Sequence, residues 1–222
     1  MPDIYEAPIR IDPKSLPRHA HFEYFNSMAN PYAGVTVNVD ITPMMDARKK
    51  IGAPFFLSMV YIAAQAANSV RELRQRISGN EILEFKRCPS SHTVAKEDGT
   101  YAYCVLKNDM PFEQFLPMAQ KTQEKCKESG TIEEDDTAIA YFFISSLPWL
   151  TYAAITQPTP YPADSNPRIT WGKYYEENGK ILLPVTLLVH HALADGRHIA
   201  EFFHALGREI AAFAAQIDQL EA

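Results

Sequence analysis

Residues 187–199 read LLVHHALADGRHI: two adjacent histidines at the end of an apolar run, an aspartate four residues on, and a glycine directly after it. Histidine ordinarily titrates near neutrality, so it serves as a general base or as a metal ligand. Successive side chains of a strand point to opposite faces, so His190 and His191 at a strand end cannot share one task. One faces a packed layer and the other is available to a cleft, where a strand-end histidine backed by a helix makes a well-fixed general base. A metal reading would draw on His191, Asp195 and His198. Their spacing matches no defensible site, and none of the three cysteines, Cys88, Cys104 and Cys126, supports one. Asp195 taken alone also fits a helix N-cap, since it precedes Gly196 and a helical run.

The elements that must hold these residues follow from periodicity. RITWGKYYEENGKILLPVTLLVHH is a hairpin signal, with Asn178-Gly179 supplying the two positive-φ residues of a type I′ turn. Its second arm is apolar on both faces, as in a strand between layers. Pro184 conflicts with that arm and points to a bulge or an unpaired stretch. After the histidines, Ile199, Phe202, Leu206, Ile210, Phe213, Ile217 and Leu220 recur three or four residues apart, an amphipathic helix. Upstream, RHAHFEYFNSMAN forms a helix that stops before Pro31. AGVTVNVDIT alternates as a half-buried strand, and a helix is expected over about Pro54 to Arg76. EILEFKRC, SHTVAKE and TYAYCVL are short strands, the last two joined at Asp98-Gly99. MPFEQFLPMAQKTQEKCKESG is a helix. TAIAYFFISSLPWLTYAAIT is β-branched and aromatic, and is expected to form two strands separated at Leu147-Pro148. Helices and hairpins mixed without strict βαβ alternation define an α+β class, helices packed on a mixed, largely antiparallel sheet.

Composition narrows the function. The 222 residues are 46% hydrophobic with no linker, repeat or charge block, which fits a single domain over 1–222. A net charge of -6 with scattered basic residues gives no footprint for nucleic acid. No stretch is long and apolar enough for a membrane span or a signal core, and an odd count of three widely spaced cysteines with no C-x-x-C fits a reducing compartment, so the expectation is cytoplasmic.

HHALADG has the form H-H-x-x-x-D-G and resembles the signature of the chloramphenicol acetyltransferase family, which dihydrolipoyl acyltransferase and condensation domains share. LPRHAHFEYF resembles that family's arginine-aromatic helix, FFISSLPWLTYAA its S-x-x-P-W strand, and ITWGKYYEENGKILLPVTLLVHH its T-x-G-K-Y hairpin. They occur in family order from about residue 16 onward. The resemblance implies the two-layer α/β sandwich of coenzyme A-dependent acyltransferases, acetyl-CoA as co-substrate, no metal, and a homotrimer with active sites at subunit interfaces. It implies His191 as general base on a substrate hydroxyl that attacks the thioester directly, Ser145 as donor to the oxyanion, and Thr170 supporting the intermediate through water. Asp195 then pairs with Arg18 to brace the histidine loop, and Tyr174 contacts coenzyme A. Phe25, Tyr101 and Tyr103 line the acceptor pocket. His190 and Ser146 point away.

Some positions depart from the family pattern. Phe25 stands where the family carries a tyrosine, and Leu188 and Arg197 replace a glutamine and an aromatic residue beside the motif. The acceptor is therefore chloramphenicol or another small hydroxylated molecule. A dihydrolipoyl acyltransferase-like core acting on a thiol, and a non-catalytic acyl-CoA-binding relative, are the competing expectations.

Overall fold

A computed structural model describes residues 6–133 and 136–220. Its main sheet contains β2 (Tyr32–Asp40), β5 (Ser90–Ala95), β6 (Tyr101–Leu106), β7 (Phe142–Ser146), β8 (Arg168–Trp171), β9 (Tyr175–Glu177) and β10 (Lys180–His190). The order is β2-β10-β8-β7-β5-β6, with β9 also on β10. The β5–β7 and β7–β8 pairs are parallel and the others antiparallel, so the sheet is mixed, as expected for the α+β class. A small antiparallel sheet, β1-β4-β3, joins β1 (Ile9–Ile11), β3 (Gln75–Ser78) and β4 (Glu81–Glu84).

Strand parity decides which side chains meet the helices. Leu183, Val185, Leu187 and Val189 of β10, Ile169 and Trp171 of β8, Ile144 of β7 and Cys104 of β6 share one face and are buried in the main core. Residues of α2 (Thr42–Lys50), α3 (Phe55–Ser69), α4 (Phe112–Ser129) and α5 (Gly196–Leu220) complete that core. Of the α5 stripe, Ile199, Phe202, Leu206, Ile210, Phe213 and Ile217 are buried as their spacing predicts, and the Leu220 side chain lies outside the described residues. The opposite face carries Thr36, Thr186, Thr170 and Ser145 in one cross-strand row and is crossed by the coil 147–167 instead of a helix. A second, smaller core joins α1 (His19–Asn26) to the small sheet and to the histidine loop through Phe22, Ile82, Ala192 and Leu193.

The predicted hairpin forms, with Asn178 at φ 51° and Gly179 at φ 76°. Pro184 does not interrupt its own strand, which pairs continuously with β2 from Leu182 to His190. The irregularity falls on the facing arm. Tyr175 opposes Leu182 and Trp171 opposes Val185, so Gly172, Lys173 and Tyr174 face only Leu183 and Pro184, a bulge of one residue. Two expectations are corrected. The helix begun at Phe55 ends at Ser69, because Val70 turns extended (φ -100°, ψ 117°); a short 3-10 turn and β3 follow, and Arg76 lies in β3. The run 137–156 makes only one strand, β7; from Leu147 the chain is coil to Pro167, a segment whose five prolines each lack the donor a ladder needs. The helix α2 was not anticipated; its nine residues with Pro43 in the first turn are too short to show periodicity.

Candidate active site

His191 follows the last residue of β10, and its backbone N–H donates to Pro31 O at 2.7 Å. The loop then turns back: Leu193 and Ala194 N–H both donate to His190 O, and Ala192 and Leu193 are buried in the smaller core. That turn brings Ala194 O to 3.1 Å from His191 Nδ1. A carbonyl oxygen only accepts, so Nδ1 carries the proton and Nε2 is the basic nitrogen. The Phe25 ring of α1 stacks on the imidazole, centroids 3.8 Å apart and planes 13° from parallel. The residue expected in the acceptor pocket thus fixes the plane of the histidine.

His190 points away, as its strand position requires. It is buried, lies edge-on to Tyr32 across the β2–β10 pair, and accepts a hydrogen bond from Ala192 N–H at 3.3 Å. Burial holds its pKa down at about 4; Asp164 works against this and His191 with it. Beside it, Arg168 donates to both Asp164 carboxylate oxygens, at 2.8 and 2.7 Å, and Tyr32 Oη also donates to Asp164. Burial opposes the charge on Asp164, but Arg168 and Tyr32 outweigh it and hold the carboxyl below the usual range. This group was not visible in the sequence.

Arg18 reaches Asp195 at 3.4 Å and also donates to Leu193 O at 3.2 Å and His191 O at 3.5 Å. The strut therefore grips the backbone of the histidine loop as well as the carboxylate. Asp195 is also a helix N-cap: Arg197 N–H donates to its Oδ1 at 3.1 Å, and Ile199 N–H to its carbonyl. Partial burial opposes its charge, but His198, the Arg197 N–H and Arg18 together keep its pKa lowered. Arg197 itself is exposed and pairs with Glu201 at 3.0 Å.

Ser145, Thr170 and Tyr103 gather on the helix-free face. Ser145 pairs with Thr170, whose other neighbour is Thr186. Ser146 pairs with Trp171 on the helix face, so the two serines separate as expected. Ser145 and Tyr103 line an open cavity of about 410 Å³ with Gln157, Asp164 and Arg168. Tyr101, one strand pleat away at the sheet edge, is half exposed and does not line it. Thr170 is buried beneath the coil, accepting from Gln157 Nε2 at 2.6 Å. Tyr174, in the bulge, packs against Phe55 with centroids 5.4 Å apart.

These two groups do not meet within one chain. Thr186 lies level with Ser145 two strands away, and His191, just past the end of β10, is five residues further along the chain. At ~3.3 Å per residue and ~4.8 Å per strand, His191 and Ser145 are separated by ~19 Å.

The fold is that of known acyltransferases. A solved chloramphenicol acetyltransferase superposes with a TM-score of 0.82 at 23% identity, covering 90% of this chain and 98% of that chain. A dihydrolipoamide acetyltransferase from Azotobacter vinelandii superposes with a TM-score of 0.65 at 18% identity, covering 88% and 87%. The chain belongs to the chloramphenicol acetyltransferase family, which matches it over residues 8–207. Chloramphenicol acetyltransferase 3 of Escherichia coli is 29% identical over 203 residues, 89% of this chain and 94% of that protein. The enzyme of Clostridium perfringens is 30% identical over 202 residues, 89% and 95%. Acyl transfer from acetyl-CoA is thereby the reaction class to which the chain belongs. Among the described residues no helix is long and apolar enough to cross a membrane.

Proposed function

We propose that the protein transfers the acetyl group of acetyl-CoA to a hydroxyl of a small molecule, chloramphenicol or a related acceptor, with His191 as general base. The observation that carries this is the bond geometry at His191. Nδ1 is committed to Ala194 O and the ring is clamped by Phe25, so Nε2 is held as an oriented base. Nε2 takes the hydroxyl proton as the oxygen bonds to the thioester carbonyl carbon, and the carbonyl becomes an oxyanion. Collapse of that intermediate expels the coenzyme A thiolate, which recovers the proton from the imidazolium. No acyl-enzyme forms.

The oxyanion needs a donor. Ser145 suits the role because its hydroxyl makes no hydrogen bond to the described residues. Its ~19 Å separation from His191 supports a site assembled from two copies, with His191 of one facing Ser145 of the next, as in a homotrimer. Trp149, Leu150 and Tyr161, exposed on the coil over the helix-free face, fit burial between copies. Tyr174, at the bulge, contacts coenzyme A.

The test is thiol release from acetyl-CoA against chloramphenicol, a panel of small alcohols and dihydrolipoamide. The expected result is turnover with a hydroxyl acceptor, falling at least ~10²-fold in His191→Ala with the fold retained. Full activity in that variant, or turnover confined to the thiol, would refute this reading.

A further inference from the structure

The coil 147–167 places one amide against the proposed oxyanion machinery. Gln157 Nε2 lies 2.6 Å from Thr170 Oγ1, and Gln157 lines the same cavity as Ser145. A threonine hydroxyl has one proton and two lone pairs. With Gln157 donating into a lone pair, the Thr170 proton is released toward another acceptor. On the β10 side, Thr186 is already engaged, with Thr36 Oγ1 at 2.7 Å and Tyr152 Oη at 3.3 Å. On the β7 side stands Ser145, with no partner among the described residues. The other end of the amide, Gln157 Oε1, is buried without a partner. A buried amide bonded at only one end is costly, so the bond it does make, to Thr170, calls for a role.

We propose that Gln157 is a positioning residue for the acetyl transfer put forward above. Its amide N–H holds the Thr170 oxygen so that the Thr170 proton points along the sheet, toward Ser145 and the oxyanion. The inference rests on the acetyltransferase reading, and its test is built to fail separately from it.

The substitutions are Gln157→Glu, Gln157→Met, Thr170→Val and the double variant Gln157→Met/Thr170→Val, assayed with acetyl-CoA and the best acceptor of the wild type. A carboxylate only accepts, so Gln157→Glu reverses the bond and draws the Thr170 proton away from Ser145. Gln157→Met removes the bond while keeping the length of the side chain. Each is expected to lower kcat about tenfold, with KM for acetyl-CoA changed by less than about twofold. Thr170→Val should lose as much, and the double variant no more than either single one, because the two residues act through one hydroxyl.

Retention of kcat in Gln157→Glu would mean that Thr170 donates to Gln157 and nothing reaches the oxyanion, which overturns the proposal. Additive losses in the double variant overturn it too. In both cases an active wild type leaves the acetyltransferase reading standing. A wild type that releases no thiol with any acceptor sinks that reading and this inference together.

Discussion

Three histidines show how placement alone divides one chemistry into different tasks. His191 keeps part of its surface open and has one nitrogen committed to a carbonyl, which suits the proton transfer proposed for it. His190 and His92 are buried, and burial holds both near a pKa of about 4. The unfolded chain would protonate each near ~6.5. Between those values the unfolded state binds more protons than the native one, so stability is complete above ~6.5 and is lost as the pH falls toward 4. The effect is about 3 kcal/mol for each histidine at most. The urea midpoint should fall between pH 7 and pH 5, and the fall should shrink in His92→Leu, which replaces the buried imidazole by an apolar side chain against Phe56. A wild-type midpoint independent of pH over that range would contradict the neutral burial of both residues.

At the scale of elements, the bulge between β8 and β9 joins fold to site. A Cβ on Gly172 would lie 2.6 Å from Leu150 O and 2.9 Å from the Tyr152 ring. That close approach lets the coil descend onto the sheet, where Tyr152 Oη donates to Thr170 O at 2.9 Å. Gly172→Ala should therefore push the coil outward, costing about 1–3 kcal/mol in stability and lowering kcat with little effect on His191 itself. Thermal unfolding and thiol release measured on the same preparation would check both. The sequence made the hairpin legible because Asn178-Gly179 is a local signal. It also made the pairing of Arg18 with Asp195 legible, through the resemblance of the motif. Its β-branched and aromatic character made the stretch after Pro148 read as a strand, but Leu150 N–H turns back to Leu147 O instead of entering a ladder, and Pro158, Pro160 and Pro162 follow without donors. Gln157 and the Tyr32–Asp164–Arg168 group were invisible for a related reason. Tyr32 is remote in sequence from Asp164 and Arg168, and Gln157 and Asp164 sit on an irregular coil whose path over the sheet no periodicity announces.

The whole molecule presents a sheet with helices on one face and a coil on the other, and that asymmetry bears on how a site can be completed. His191 stands at the end of β10 against α1, whereas Ser145 and Thr170 lie mid-sheet on the helix-free face. No rotamer closes ~19 Å, so within a single chain the proposed base and the proposed oxyanion donor cannot serve one reaction. If each site joins His191 of one copy to Ser145 of the next, two inactive variants should repair each other. His191→Ala chains still carry Ser145, and Ser145→Ala chains still carry His191. After unfolding and refolding together at equal concentration, random assembly into a closed ring places an intact His191 against an intact Ser145 at about one interface in four. Activity should then rise to about a quarter of the wild-type value, while the same variants refolded separately and then mixed stay inactive. Failure of the co-refolded mixture to exceed its parents, with the oligomer re-formed, would show that both residues serve within one chain or that one of them is not used.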